Sequence, residues 1–379
     1  MHILQLANFY GPNTGGLRVA LDQLAEEYLA AGHHVTTIIP GDRNRRTVAD
    51  NGRTFLTVRA PLVPGMGGYR LIVNPGAVRR MIQVVGPDVI ELSDKTTLAA
   101  AATRSRDDRV PTVLISHERL DAVVGQSFSS RTPVLRAMQV FNNHWGDRVD
   151  SVVCCSDFAA EEFADDRATP IERVSLGVDL DTFRPGPHPQ NDRPRIATVV
   201  RLTVDKDPEL LVETSRELLG RGLDHDWVVH GDGPLRSELE EMAAGLPMTF
   251  AGYETDRRTL ARKIAQADVG VSPGPCETFG LAALELLACG TPVVVPDRGA
   301  LSELITADVG RSCSRSAGRF ADAIEDLLEQ DQVELRAAAR RHAERYSWQA
   351  SAARFLSLYA GLTERRRVHP VFSRRRRAA

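Results

Sequence analysis

The sequence has little cysteine and lacks any long apolar run. Its 379 residues include five cysteines, an odd number with no Cys-x-x-Cys pair, which argues against a disulfide framework and against structural zinc. No stretch approaches the ~20 apolar residues that a membrane-spanning helix needs, and residues 2–7 are typical of a strand rather than of a signal peptide. These absences predict a protein of a reducing cytoplasm, for which peripheral contact with the inner face of the membrane remains open.

Lysine is also scarce, since only Lys95, Lys206 and Lys263 occur among 47 basic residues. Clusters of arginine are correspondingly less informative. The formal net charge is −3, yet seven arginines and no acid follow Glu364, at positions 365–367 and 374–377. A basic tail on an acidic body predicts contact with an anionic surface, membrane or nucleic acid, and a solvated tail without a partner is the alternative.

Strand-like and helix-like segments alternate along the chain, as in α/β proteins. Residues 2–7, 17–31 and 34–40 have the patterns of a strand, a helix and a strand, which is a βαβ opening of Rossmann type. Residues 184–194 carry four prolines, a composition typical of a semi-rigid linker, and a second α/β series begins after them. A chain of this length accommodates two domains, with a ligand-binding cleft between them.

A loop at residues 272–280 is rich in proline and glycine and lies between a strand-like run at 267–271 and a helix-like run at 281–288. In an open α/β sheet, ligands bind at the carboxyl ends of the strands. The backbone N–H groups of residues 279–281 would lie at the N-terminus of the helix, where the helix dipole favours an anion. The loop is therefore a predicted anion site.

Two carboxylates frame this helix, Glu277 before it and Glu285 on its second turn. Acidic side chains beside an anion-attracting helix end suit sugar hydroxyls, so the pair predicts a nucleotide-sugar site. The alternative for each glutamate alone is structural, with Glu277 capping the helix and Glu285 on a solvated face.

Two cations, Arg201 and Lys206, stand five residues apart on a predicted loop that follows the strand-like run 196–200. Cations that converge at a strand end suit a diphosphate that must leave with two negative charges. Ordinary surface charge is the alternative for either residue alone.

The spacing Glu-x-Phe-Gly-x4-Glu at residues 277–285, followed by Ala-Cys-Gly-Thr-Pro-Val at 288–293, resembles the signature of family 4 of the retaining glycosyltransferases. Residues 175–185, the Gly-Asp-Gly-Pro block at 231–234 and the Arg-x4-Lys pair resemble further blocks of that family, in order along the chain. The resemblance covers nearly the whole chain and implies the GT-B fold, an α/β architecture in which two Rossmann-like domains face a central cleft.

The resemblance also implies the domain boundaries. These are an acceptor domain at 1–186, a nucleotide-sugar donor domain at 187–346, a helix at 347–362 that crosses back to the N-terminal domain, and an arginine-rich tail at 363–379.

Roles for individual residues follow from the same resemblance. Arg201 and Lys206 would bind the donor diphosphate, Glu277 the hydroxyls of the donor sugar and Glu285 the ribose. His117, at the end of a strand-like run, would contact the reacting sugar from the N-terminal domain. The further donor-binding residues implied are Gly15, Gly16, Gly231, Gly233, Gly252, Tyr253, Phe279, Gly280 and Leu281. Asp207 departs from the family, which usually has glycine after the lysine.

The predicted catalytic set is His117, Glu277, Arg201 and Lys206. No Asp-x-Asp pair lies where a metal would be needed and no His/Cys/Asp cluster has ligand spacing, so we expect no metal and no other cofactor. The resemblance implies retention at the anomeric carbon by front-face attack, with the leaving phosphate taking the acceptor's proton. A double displacement would require Glu277 as the nucleophile.

The loop at residues 61–72 is more apolar than a simple connector, and Tyr69 and Arg70 on it are the predicted acceptor contacts. The alternative is that the loop covers its own domain's core. Together with the arginine tail, this loop resembles actinobacterial lipid-directed mannosyltransferases. That resemblance implies transfer of mannose from GDP-mannose to a lipid or glycolipid acceptor of the phosphatidylinositol-mannoside type, with an anionic membrane surface as a partner and no nucleic acid.

Three alternatives remain open. The nearest is a transferase that uses a UDP-sugar with diacylglycerol or a glycolipid as acceptor. The others are a GT-B nucleotide-sugar epimerase, which would need further carboxylates and histidines in the cleft, and a non-catalytic nucleotide-sugar binding protein. A protein that only binds should lack the set Arg201, Lys206 and Glu277, and all three are present.

Overall fold

The computed structural model describes residues 1–11, 15–63, 68–104, 110–117, 119, 131–163, 169–188 and 192–368. The described chain forms two sheets, the first within residues 2–173 and the second within residues 195–313, each flanked by helices. The arginines at 374–377 lie outside the described residues.

The first sheet has the strand order β3-β4-β2-β1-β5-β6-β7-β8, and its β3–β4 edge pair is antiparallel while the other pairs are parallel. Its strands are β1 (His2–Leu6), β2 (His34–Gly41), β3 (Arg45–Val48), β4 (Thr54–Arg59), β5 (Val89–Leu92), β6 (Thr112–Ser116), β7 (Ser151–Cys154) and β8 (Ile171–Arg173). The apolar strands β5, β6 and β7 are buried along their whole length, as in parallel sheets that are covered on both faces.

The second sheet has the order β11-β10-β9-β12-β13-β14 and is parallel throughout. Its strands are β9 (Arg195–Val199), β10 (Asp226–His230), β11 (Met248–Gly252), β12 (Val269–Val271), β13 (Val293–Pro296) and β14 (Gly310–Cys313). In each sheet the order reverses beside the first strand, between β1 and β5 and between β9 and β12. Ligands bind to open α/β sheets at the carboxyl ends of strands at such reversals.

The helices connect these strands. They are α1 (Gly16–Ala30), α2 (Pro75–Val85), α3 (Thr97–Arg104), α4 (Arg131–Gly146), α5 (Asp157–Ala160), α6 (Glu209–Gly220), α7 (Arg236–Met242), α8 (Arg257–Ile264), α9 (Leu281–Ala288), α10 (Ala300–Leu304), α11 (Ala317–Leu328), α12 (Gln332–Ala343) and α13 (Trp348–Val368). The predicted βαβ opening is confirmed as β1, α1 and β2, and the helix predicted at 281–288 is α9.

The sequence did not indicate β3, β8 or β14. These strands have three or four residues, lie at the edges of the sheets and are partly exposed. A short, half-exposed strand has too few alternating apolar residues to form a recognisable pattern.

The last helix, α13, packs against α1 of the first domain. Its start is fixed by a bridge between Val178 and Ser347, and a Cβ on Gly177 would lie 2.4 Å from the backbone nitrogen of Trp348. Further along, the Tyr359 hydroxyl donates to Oε1 of the fully buried Glu91 at 2.7 Å. Within the described part of the chain, no helix combines the length and the apolar composition that crossing a membrane requires.

Candidate active site

The reversal between β9 and β12 carries the residues that the sequence singled out. The loop after β9 holds Arg201 and Lys206, and the loop after β12 holds Glu277. A cavity lies where the two loops meet, lined by Val199, Val200, Ser272, Pro273, Gly274, Glu277, Gly280, Ala282, Ala283 and Leu301. The buried Ser272 Oγ has no hydrogen-bond partner within the described chain.

Lys206 and Glu277 form an ion pair across the two loops, with 2.8 Å between Nζ and Oε1. The side chain of Lys206 is only 15% exposed, and Asp205 Oδ2 lies 3.6 Å from the same Nζ. Burial alone would lower the pKa of Lys206, but the charge and hydrogen bond of Glu277, with Asp205, outweigh it and raise that pKa. The lysine is therefore charged at neutral pH and positioned for an anion.

Asp207 closes the short 3-10 turn Val204–Lys206 in the left-handed region, with φ 51° and ψ 51°. It is the one residue other than glycine with a positive φ in the described chain. Glycine adopts this conformation without strain, which explains physically why glycine suits the position after the lysine. The Asp207 carboxylate pairs with Arg315 Nε at 3.1 Å, so it is directed to α11 and its neighbourhood rather than to Lys206.

Gly15 and Gly16, at the start of α1, face the second domain across the cleft. A Cβ on Gly15 would lie 3.9 Å from Nη2 of Arg201, and one on Gly16 would lie 3.5 Å from Cδ1 of Leu281. The fold thus places the predicted glycine pair, Arg201 and the start of α9 together, as a donor site spanning both domains requires.

Among the described residues, the N-terminus of α9 has unpaired backbone N–H groups, as the sequence predicted. Gly280 is its N-cap residue at φ 95°, where a Cβ would lie 2.3 Å from Cδ2 of Leu301. No hydrogen bond within the described chain uses the backbone N–H groups of Phe279, Gly280 or Leu281. The Phe279 side chain is buried and packs edge-on against Tyr346 at 6.1 Å, so only its backbone faces the cleft end of the helix.

Glu285 is buried and paired with a residue that the sequence reasoning missed. Its Oε1 accepts from Nη2 of Arg257, the first residue of α8, at 2.7 Å, and Arg257 lies 4.8 Å over the ring of Phe183. Burial raises the pKa of Glu285, and Arg257 opposes that rise. The solvated-face alternative for Glu285 is wrong, because its side chain is only 9% exposed.

The glycines after β10 and β11 serve close backbone packing. A Cβ on Gly231 would lie 1.7 Å from the Val200 oxygen, and one on Gly233 would lie 2.3 Å from the Leu202 oxygen. Gly231 N–H donates to the Gly252 oxygen at 2.9 Å, which joins the ends of β10 and β11, and Tyr253 next to it is 58% exposed. Gly231 and Gly233 border the end of β9, and close packing against its backbone is enough to explain why both are glycine.

His117 lies at the end of β6, on the first-domain side of the cleft. Its Nε2 is 3.2 Å from Ser93 Oγ, and burial and then the charge of Lys95 lower its pKa to about 4. The imidazole is therefore neutral at physiological pH. Its backbone oxygen accepts a hydrogen bond from Thr278 Oγ1 of the second domain at 2.7 Å. Thr278 directly follows Glu277 in the sequence, so this bond joins His117 to the loop that carries Glu277.

A buried ion pair lies beneath His117. Lys95 bonds to the fully buried Glu162, which also accepts from Ser116 Oγ and from Asn142 Nδ2. No motif marks Glu162, which lies in the turn after α5, because a lone glutamate is ordinarily a surface residue.

The described ends of the predicted acceptor loop pair with each other. Leu62 and Arg70 form an antiparallel bridge, and Arg70 Nη1 donates to the Ala60 oxygen at 2.6 Å. Tyr69 packs edge-on against Phe9 at 5.8 Å, so it lies near the loop that follows β1. Arg70 is therefore bonded to the residue that follows β4, and residues 64–67 lie outside the described chain.

Two family models match the chain, one in each domain. The model described as "Glycosyltransferase Family 4" matches residues 14–182, and the model described as "Glycosyl transferases group 1" matches residues 193–330.

Relatives match along most of the chain. A protein of Mycobacterium tuberculosis (strain ATCC 25177 / H37Ra) named GDP-mannose-dependent alpha-(1-6)-phosphatidylinositol dimannoside mannosyltransferase is 42% identical over 365 residues, 94% of this chain and 95% of the relative. A GDP-mannose-dependent alpha-mannosyltransferase of Mycolicibacterium smegmatis is 28% identical over 319 residues, 80% of this chain and 82% of the relative.

Solved structures share the architecture. Sucrose-phosphate synthase from Thermosynechococcus elongatus superposes with a TM-score of 0.78 at 20% identity, covering 96% of this chain and 99% of that structure. HepE of Anabaena, in complex with UDP and glucose, superposes with a TM-score of 0.70 at 17% identity, covering 94% and 99%. The predicted GT-B fold is confirmed, and the chain is a glycosyltransferase that belongs to family 4.

Proposed function

We propose that this enzyme moves mannose from GDP-mannose to a lipid acceptor of the phosphatidylinositol-mannoside type. The observation that carries the proposal is the 42% identity, along 94% of the chain, with the M. tuberculosis enzyme that is named for this donor and this class of acceptor. Because the match includes both domains, it supports the donor half and the acceptor half of the assignment together.

The donor would bind at the reversal between β9 and β12. Lys206 and Arg201 would hold the diphosphate, with the open N–H groups of Gly280 and Leu281 at the start of α9 as further donors. Glu277, next to Lys206, would accept hydrogen bonds from the sugar hydroxyls, and Glu285 would contact the ribose. The neutral imidazole of His117 suits a hydroxyl better than a phosphate, in keeping with a place beside the sugar.

The reaction would retain configuration through attack on one face. The acceptor oxygen bonds to the anomeric carbon as the bond from that carbon to the phosphate oxygen breaks, and the acceptor's proton passes to the leaving phosphate. Lys206 and Arg201 stabilise the charge that develops on the diphosphate, so no metal is needed for this step. The 2.8 Å pair between Glu277 and Lys206 favours a sugar-binding role for the glutamate over a nucleophilic one.

A lipid acceptor requires the enzyme to reach a membrane, and we include this contact in the proposal. Arg366 Nη2 donates to Asp150 Oδ1 at 2.5 Å, which attaches the end of α13 to the first domain. The arginine-rich segment would continue from this point to the inner face of a membrane, where each arginine near anionic lipid contributes about 1 kcal/mol. The location would then be cytoplasmic and peripheral.

The direct test is transfer of labelled mannose from GDP-mannose to phosphatidylinositol dimannoside in detergent micelles, with and without a chelator. We expect a lipid with one more α-linked mannose, formed equally in both conditions. Transfer from UDP-glucose in place of GDP-mannose would overturn the donor assignment. Loss of activity with the chelator, restored by a divalent cation, would overturn the metal-independent step.

A further inference from the structure

Thr278 joins the two domains beside the candidate sugar site. Its Oγ1 donates to the His117 oxygen at 2.7 Å. Its own carbonyl oxygen accepts from Ser156 Oγ at 2.6 Å and from Cys155 Sγ at 3.2 Å. One residue of the second domain therefore bonds to the ends of two strands of the first, β6 and β7.

The neighbours of this threonine give the contact its significance. Glu277 precedes it directly, and His117 is its hydrogen-bond partner, so the two candidate sugar contacts on opposite sides of the cleft are linked through one side chain. Thr278 is the x of the spacing Glu-x-Phe-Gly, a position to which the motif assigns no role.

A second contact closes the same edge of the cleft. Glu303 of α10 accepts from the backbone N–H groups of Asp157 and Phe158 at 2.8 and 2.6 Å. This carboxylate thus holds α5 of the first domain against the second, next to Ser156. The two contacts together fix how closely the domains approach along this edge.

We propose that Thr278 is a positioning residue, which holds His117 and Glu277 at the separation that the transferring sugar requires. The inference rests on the proposed function for its catalytic part and on the domain contact for its structural part. Its physical basis is that a displacement of about 1 Å between reacting groups costs up to about 10²-fold in rate. In the proposed function the nucleotide half of the donor would contact mainly the second domain, so its affinity should not depend on this hydroxyl.

The test compares Thr278→Val, which loses the hydroxyl at nearly constant volume, with Thr278→Ser, which keeps it. The matched control is Thr291→Val, because Thr291 Oγ1 makes a similar bond to the Ile264 oxygen at 2.9 Å within the second domain. We expect Thr278→Val to lower kcat by about fivefold to tenfold, the worth of one hydrogen bond, and to leave the Kd for GDP within twofold. Thr278→Ser should keep most of the wild-type kcat. Thr291→Val should lower thermal stability without changing kcat.

Small-angle X-ray scattering of the same proteins without ligand tests the structural part of the inference, the domain contact, separately from the catalytic part. Thr278→Val should show a larger radius of gyration than the wild type, the serine variant and the Thr291→Val control. If the wild type transfers no mannose, the proposed function fails, while a more open Thr278→Val would still support the domain contact. An active wild type whose Thr278→Val variant keeps both its kcat and its radius of gyration would overturn the inference.

Discussion

Lys206 Nζ and Glu277 Oε1 lie 2.8 Å apart, and this pair joins the loop after β9 to the loop after β12. Gly274 lies beside this pair, since a Cβ on it would be 3.4 Å from Cγ of Glu277 and from Cδ of Lys206. The residues proposed for the diphosphate and for the sugar are thereby oriented by each other without a bound donor. Such preorganisation avoids reorganising the site at the moment of reaction.

Replacing Lys206 with alanine should lower kcat/KM by at least about 10²-fold, because it removes a buried cation from the leaving group and leaves Glu277 unpaired. The measurement is steady-state transfer from GDP-mannose. Arg221→Ala is the matched control, since Arg221 pairs with Glu217, Asp322 and Glu325 away from the cleft. Turnover of Lys206→Ala close to that of the control would remove Lys206 from the catalytic set.

Replacing Asp207 with glycine should leave the free energy of unfolding unchanged to within about 1 kcal/mol. Glycine relieves the left-handed strain, while the lost pair with the half-exposed Arg315 contributes only about 0–1 kcal/mol. Asp207→Ala loses the same pair and keeps the strain, so it should be less stable than Asp207→Gly by about 1 kcal/mol. Urea unfolding of the two variants measures the difference, and equal stabilities would show that the turn is not strained.

The lowered pKa of His117 makes stability depend on pH in a defined direction. The unfolded chain binds a proton near the ordinary value of 6.5, whereas the folded chain binds it only near pH 4. Between these values the unfolded state carries more protons, so stability rises with pH and is lost as the pH falls from 6.5 towards 4.

His117→Gln should therefore lose less stability than the wild type between pH 6.5 and pH 4.5 in urea unfolding. His230, whose pKa burial and Lys263 also lower to about 4, adds a loss in the same direction, so the variant should retain part of the slope. If the stability of His117→Gln fell as steeply with pH as that of the wild type, the imidazole of His117 would be protonated in the folded protein over this pH range.

Removing residues 369–379 should weaken binding to anionic vesicles and leave α13 in place. Four arginines lie in this segment, and each contributes about 1 kcal/mol near an anionic surface, so binding should fall by more than tenfold. Sedimentation with vesicles containing phosphatidylglycerol measures this, with neutral phosphatidylcholine vesicles as the control. Equal binding of the full and shortened chains would leave the tail without a membrane role.

Much of the fold was predictable because parallel sheets bury continuous apolar runs. The apolar runs at residues 151–154 and 281–288 predicted the observed bounds of β7 and α9. The proline and glycine content of residues 184–194 indicated the boundary between the two α/β domains. Edge strands such as β3 were missed, since three polar residues and one exposed valine have no apolar pattern to detect. The sequence assigned Lys206 and Glu277 to one donor site, but it did not predict the ion pair between them.

Contacts between distant parts of the chain were not predictable in the same way. Glu285 was expected at a ribose, and nothing in its surroundings in sequence indicated the partner Arg257, 28 positions away. Thr278 bonds to a backbone oxygen 161 positions away, and a backbone oxygen carries no sequence signal. The first pair depends on how two helices of the second domain pack and the second on how the two domains approach, and local patterns encode neither.

The most direct measurement is calorimetric titration of the wild type and Lys206→Ala with GDP and with UDP, in the absence of metal. A GDP-mannose-dependent enzyme whose diphosphate rests on Lys206 should bind GDP at least tenfold more tightly than UDP, and Lys206→Ala should lose most of that affinity. Tighter binding of UDP, or GDP binding that Lys206→Ala leaves unchanged, would contradict the donor assignment or its site, respectively.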